Sequence, residues 1–219
     1  MRPYAIAALA GAAALVLGAA AGLAGGTEDT STGFPAISGD PDEPRRHFRE
    51  QDTTELSPGA AQAIYAALGE GMAAGYAASG HSVATAYRGW RRFNTKPYRS
   101  ATHGRRYVNN YANEAGGAYG LFEAAGVFPV GAVIAKDSFV VGEAGEVRPG
   151  PLFIMEKMAP GFSYLTGDWR YTEIGPDGTV AGATGGEGAA RVEYCIACHL
   201  ARERQDHLYF VPEAVRASP

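Results

Sequence analysis

Apolar positions along this chain recur with two different periods. In "SPGAAQAIYAALGEGMAAGYAASG", Ala61, Ile64, Tyr65, Leu68, Met72 and Tyr76 fall at helical spacing, which predicts one amphipathic helix from 58 to about 78 with its stripe in the core. Ser57 reads as its N-cap and Pro58 as its first residue, where the missing N–H costs nothing. From Arg105 onward the period shortens. "RRYVNNYAN" reads as a strand, "EAGGAYGLFEAAG" as a short helix and "FPVGAVIAKDSFVV" as a strand rich in Val and Ile. "LFIMEKM" and "DWRYTEI" follow a turn-like "GEAGEVRPGP", and "GPDG" turns the chain into "TVAGAT". A helix carrying both cysteines and then "DHLYFVP" complete the pattern. Strands adjacent in sequence and joined by short turns favour an antiparallel β-sheet packed with a few helices, so the expected class is α+β, with the cysteine-bearing helix near the C-terminus.

Residues 1–24, "MRPYAIAALAGAAALVLGAAAGLA", have one Arg near the start, an uncharged run and small residues at the end, the layout of a signal peptide. The alternative is an anchor helix, which Ala and Gly would hold poorly in lipid. Export with cleavage near Ala24 is the expectation. Losing Arg2 takes the formal charge from -4 to -5, which argues against a general nucleic-acid binder. The remainder, about 190 residues, suits one domain. Residues 25–56 are polar and rich in Gly, Pro and acids, a linker or arm; 57–86 form an N-terminal helical extension, and 87–219 the main domain.

The two cysteines, Cys195 and Cys198, stand in "VEYCIACHL" with His199 directly behind. A disulfide across two residues would close a very small loop and stabilise little. Zinc would need a fourth ligand, for which His47, His81, His103 and His207 are unconnected candidates. The spacing C-x-x-C-H is the attachment signal for a c-type haem, with two thioether links and a proximal histidine. Because this motif uses every cysteine of an exported chain, the haem reading leads: one covalent haem c on Cys195 and Cys198, with His199 on iron.

Only 20 residues follow His199 and none is Met. Met72, Met155 and Met158 lie upstream, and Met72 and Met158 sit where apolar residues recur, as core residues do. The iron is therefore expected to keep an open face, suited to binding or transforming a small molecule. The stretch from Arg88 to Arg106 holds seven basic residues and no acid; it reads as a solvated face partly recruited to the haem propionates. Lys136 interrupts "GAVIAKDSFVV", and alternation points it with Ile134, Ser138 and Val140, mostly inward. It reads either as a rim lysine snorkelling to water or as a desolvated, nucleophilic amine.

Together "THGRRYVNNYAN", "FPVGAVIAKDSF", "GDWRYT" and "CIACH" resemble the cytochrome P-460 family, from about Tyr87 to Pro212. The resemblance implies a periplasmic homodimer on an antiparallel sheet. In the hydroxylamine-oxidising members a lysine after a Phe-Pro-like turn is joined to a porphyrin meso carbon, and the matching position is Lys136. It also implies an external electron acceptor such as a small cytochrome. Arg106, Asn110 and Phe153 are the distal candidates. Where family enzymes are similar in carrying a distal carboxylate, this sequence has Phe153, with Glu156 three residues on.

Two functions from different classes follow. One is an oxidoreductase acting on hydroxylamine or a related small nitrogen compound, with haem cross-linked to Lys136. The other, similar to the cytochrome c-prime-beta type, is a binder of nitric oxide or another diatomic gas, acting as sensor or scavenger. A bare electron carrier fits less well.

Overall fold

The computed structural model describes residue 50 and residues 53 to 218, so the expected leader and most of the polar arm lie outside the described residues. Helix α1 (Pro58–Ala77) begins at Ser57, whose Oγ accepts a hydrogen bond from the Ala60 N–H at 3.3 Å. Its buried residues Ala61, Tyr65, Gly69, Met72 and Tyr76 are three or four apart, one face of a helix, with Ile64 and Leu68 half-buried beside them. A short helix α2 (Ser82–Ala86) leads to the sheet.

Eight strands form one antiparallel sheet: β1 (Arg91–Arg92), β2 (Tyr98–Arg99), β3 (Tyr107–Ala112), β4 (Val133–Val141), β5 (Val147–Pro149), β6 (Leu152–Lys157), β7 (Trp169–Ile174) and β8 (Val180–Ala183). The order across it is β1-β3-β4-β6-β7-β8, with β2 also on β3 and β5 on the end of β4. All nine residues of β4 are buried, which requires cover on both faces of the sheet.

The two faces build two separate cores. On one, Tyr65, Met72 and Tyr76 of α1 meet Tyr107, Tyr111, Phe139, Leu152 and Ile154. On the other, Ile134, Met155, Trp169 and Tyr171 meet helix α3 (Glu193–Leu200) and the residues flanking it, through Val192, Cys195, Leu208 and Val211. Residues 57–86, expected as an extension, thus supply the helix side of one whole core. All described residues fall in one compact unit.

The α1 face also hides a charge. Asp137, fully buried, accepts hydrogen bonds from Tyr65 OH at 2.5 Å, Tyr87 OH at 3.2 Å and Asn109 Nδ2 at 3.0 Å. Burial raises its carboxyl above the usual range. Arg88 donates to Tyr65 OH from the outside and lies over that ring. Arg88 itself stays exposed, so the basic stretch keeps its solvated side while one guanidinium caps the buried cluster.

The short helix expected over "EAGGAYGLFEAAG" appears as a 3-10 stretch, Gly117–Ala124, broken at Phe122, where φ is 52°. Glycine disfavours regular helix, and Gly120 lies so close to the Phe93 ring that a Cβ there would come within 2.9 Å. Close packing on Phe93 has replaced helical regularity.

Two glycines of α1 report on how it sits. A Cβ at Gly75 would meet the Pro176 carbonyl oxygen at 2.1 Å, in the β7–β8 turn, whereas nothing lies within 4 Å of one at Gly71. Gly71→Ala should raise stability by about 1 kcal/mol, the usual helical gain. Gly75→Ala should lower it by about 1–3 kcal/mol through overpacking. Urea unfolding of both variants measures this, and equal gains would mean that α1 does not pack against that turn.

Candidate functional site

Strand pairing lines up one row of side chains across the second face. Asn110 of β3 pairs with Lys136 of β4, Lys136 with Phe153 of β6, and Phe153 with Glu173 of β7. The next row on the same face is Ala112, Ile134, Met155 and Tyr171. Alternation along each strand puts Asn110, Ile134, Lys136, Phe153, Met155 and Tyr171 of these rows on the floor of a cavity of about 460 Å3, counting its mouth. Its remaining walls include His103, Cys195, His199 and Tyr209.

Helix α3 carries Cys195, Cys198 and His199 at positions i, i+3 and i+4, so all three share one helix face. Neither cysteine is in a disulfide, and burial raises the thiol of Cys195. His199 is buried, and that burial pushes its imidazole down to about 3, so the ring is neutral at ordinary pH. Its Nδ1–H donates to the His207 carbonyl at 2.6 Å, which leaves Nε2 as the nitrogen available to a metal.

That carbonyl is placed by two consecutive residues in the left-handed region, Asp206 (φ 50°) and His207 (φ 62°). The Asp206 carboxylate is clamped by Lys157 Nζ at 2.6 Å and by the Phe128 N–H at 2.9 Å, while Trp169 Nε1–H donates to the Asp206 carbonyl at 2.9 Å. A buried ion pair thus anchors the turn that orients His199.

On the opposite wall, burial pushes the Lys136 ammonium down to about 7. Its Nζ lies 3.5 Å from His103 Nδ1, and the His103 ring packs on Phe153 with centroids 4.9 Å apart. Asn110 has its amide committed: it accepts from Tyr98 OH at 3.0 Å and donates to Tyr119 OH at 2.6 Å. The structure therefore brings Asn110, Lys136, Phe153, Cys195 and His199 around one space, with Cys198 on the same helix.

Residues 84–210 match the model of one protein family, Cytochrome P460. The chain belongs to the cytochrome P460 family. No curated protein matches the chain. Membership implies a haem cofactor, and the residues of this P460 chain fit one. The Tyr171 hydroxyl, buried against the cavity, has no hydrogen-bond partner, the mark of a polar atom whose neighbour is the cofactor. Two thiols outside any disulfide and a histidine held through Nδ1 supply the attachment points and the donor. Among the described residues no three His, Cys, Asp or Glu side chains are grouped so as to hold a metal ion.

Two sequence candidates stand elsewhere. Arg106 does not line the cavity; its guanidinium is bonded to Glu50 at 2.5 Å. Glu156, an odd number of residues from Phe153, points to the other face, with His81 3.9 Å away. Of the methionines, Met72 is in the α1 core, Met155 lines the cavity and Met158 is half-buried past β6.

Sequence reasoning missed three groups. His103 stands in the sequence only as one of four unconnected histidines for a zinc site, and nothing local ties it to the haem motif. Glu173 is a buried carboxylate on the cavity-side face, raised by burial and holding the Tyr194 hydroxyl, and only the strand register brings it beside Phe153. Tyr171, ring to ring with His199 at 5.1 Å, looked like an ordinary strand aromatic.

Lys136 makes the site sensitive to pH in the haem-free chain. Its amine has a folded value near 7 against an ordinary 10.5, so between these the unfolded chain binds a proton that the folded chain does not. Stability therefore falls as pH drops through that window, and the penalty, on the order of 5 kcal/mol, is complete below it. Haem-free Lys136→Met should have a higher urea midpoint than the native chain at pH 6. By about pH 10.5, where the amine is uncharged in the folded chain and only half-charged in the unfolded one, the advantage should nearly vanish. A gain of equal size at both pH values would rule out a desolvated amine.

Proposed function

We propose that this P460 chain is a periplasmic oxidoreductase that oxidises hydroxylamine or a related small nitrogen compound at a haem held by Cys195, Cys198 and Lys136. The haem supplies the iron that binds the substrate nitrogen and takes up its electrons, which pass to an external acceptor such as a small cytochrome. His199 serves as the proximal ligand, its ring orientation fixed by the His207 carbonyl. Export, a homodimeric state and the absence of nucleic-acid binding belong to the same reading.

One observation carries it. Lys136 is buried in the cavity that His199 lines, and burial brings its amine to about 7, so a good part of it is unprotonated at neutral pH. An amine reacts as a nucleophile through its unprotonated form. A rim lysine in water would keep its proton. The position, on a central strand, also fixes the nitrogen so that a link to the ring edge constrains both partners.

A second reading has its own support. At the position where the resemblance expects a proton-moving carboxylate, Phe153 presents a ring. The carboxylate on the same row is Glu173, already engaged by Tyr194. A ring in place of a proton-moving carboxylate favours a binder of nitric oxide or another diatomic gas, without turnover.

Proteolysis of the haem-loaded protein separates the two. The expected result is one haem-peptide joining the segment around Lys136 to the segment around Cys195 and Cys198. Lys136→Leu should keep its thioether haem, lose that link and stop oxidising hydroxylamine while still binding nitric oxide. A haem-peptide containing only the cysteine segment would move the assignment to gas binding.

A further inference from the structure

Haem iron has two axial positions, and α3 fills one through His199. We propose that His103 fills the other at rest, making a bis-histidine haem whose second ligand gives way to the incoming small molecule. The proposal rests on the haem reading above and concerns the iron face which the sequence alone suggests is open.

The placement of the two rings carries the inference. His103 is 4% exposed and lines the same cavity as His199. Their ring centroids are 6.4 Å apart with planes at 76°. Two imidazoles bound to one metal from opposite sides, each nitrogen about 2 Å from it, have centroids roughly 6 Å apart. The spacing is that of two ligands sharing one ion.

Each ring is also held by the same atom. His199 Nδ1 is fixed by the His207 carbonyl, and His103 Nδ1 lies 3.1 Å from Thr102 Oγ1, 3.2 Å from Ser100 Oγ and 3.5 Å from Lys136 Nζ. Metal-bound histidines are oriented through their second nitrogen in this way, so Nε2 is the metal-facing atom in both. The Ser100 hydroxyl in turn accepts the backbone N–H of His103 at 3.1 Å, which fixes the residue as well as its ring.

Met155 is another cavity side chain able to ligate. It packs in the apolar core with Ile134 and Tyr171, whereas His103 stands ring to ring with the proximal histidine. The geometry favours histidine.

The same surroundings make His103 displaceable. It stands in the turn between β2 and β3, ahead of Gly104 (φ 68°) and Arg105 (φ 64°), and its ring is held by hydroxyls. A closed resting state lowers the apparent affinity for any exogenous ligand by the fraction of molecules that are open, about tenfold to a hundredfold if the open form is 10% to 1%.

The test uses the haem-loaded full chain, ferric EPR and absorption, and carbon monoxide as the probe. The native ferric protein should be low-spin and six-coordinate. His103→Ala should become high-spin, return to low-spin on adding imidazole, and bind carbon monoxide in the ferrous state at least about tenfold more tightly. Met155→Leu should keep the low-spin spectrum. A high-spin native spectrum overturns the proposal outright, whether or not any variant folds. A low-spin spectrum that survives in His103→Ala overturns it too. Haem-peptide mapping and hydroxylamine turnover read the proposed function separately: a low-spin, His103-dependent haem without a Lys136 link would sink that function and leave this ligation standing.

Discussion

All nine residues of β4 are buried, and two neighbours among them, Lys136 and Asp137, carry opposite charges. Adjacent residues of a strand point to opposite faces, so these two cannot neutralise one another. An unanswered buried charge costs several kcal/mol, so each face must supply its own answer. For Asp137 the answer is hydrogen bonding from Tyr65, Tyr87 and Asn109. For Lys136 it is loss of the proton, with His103 alongside. The rest of the architecture follows from that division. Tyr65 belongs to α1, outside the segment 84–210 that matches the family, yet without it Asp137 would lose its shortest hydrogen bond. The helix is therefore part of what lets a lysine and an aspartate sit side by side in the middle of a sheet.

How far the sequence could be read depends on range. The helix at 58–77 and the strands around Val108, Lys136, Ile154 and Tyr171 were legible because their apolar periods are local. The cysteine pair and His199 were legible because three ligating atoms lie within one turn and a half of helix. His103, Glu173 and Asp137 were not. Each owes its importance to a partner at least 20 residues away, chosen by strand register or by a turn, and no local pattern encodes that choice. Glu156 shows the same limit from the other side. It is three residues from Phe153 in sequence, but strand alternation sends it to the face that has no cavity.

The two histidines of the cavity differ in how firmly they are held, and this bears on what the site can do. His199 is on a helix, its ring tied to a carbonyl whose turn is anchored by the buried Lys157–Asp206 pair and by Trp169 Nε1. Gly167 completes that anchor: a Cβ there would come within 2.7 Å of the His207 ring, so the turn closes only against a glycine. Hydrogen bonds to charged groups contribute roughly twice what neutral ones do, and a buried pair that loses one partner is strongly destabilising. Moving His199 would disturb all of this at once. His103 is held by two neutral hydroxyls and an amine whose hold on its proton burial weakens, on a turn whose backbone contacts are with Ser100, Arg106 and the Glu50 N–H. Its release breaks a few bonds of ordinary strength. A site with one fixed and one loosely held nitrogen donor, facing each other across the same cavity, can keep its metal permanently while exchanging whatever occupies the second face.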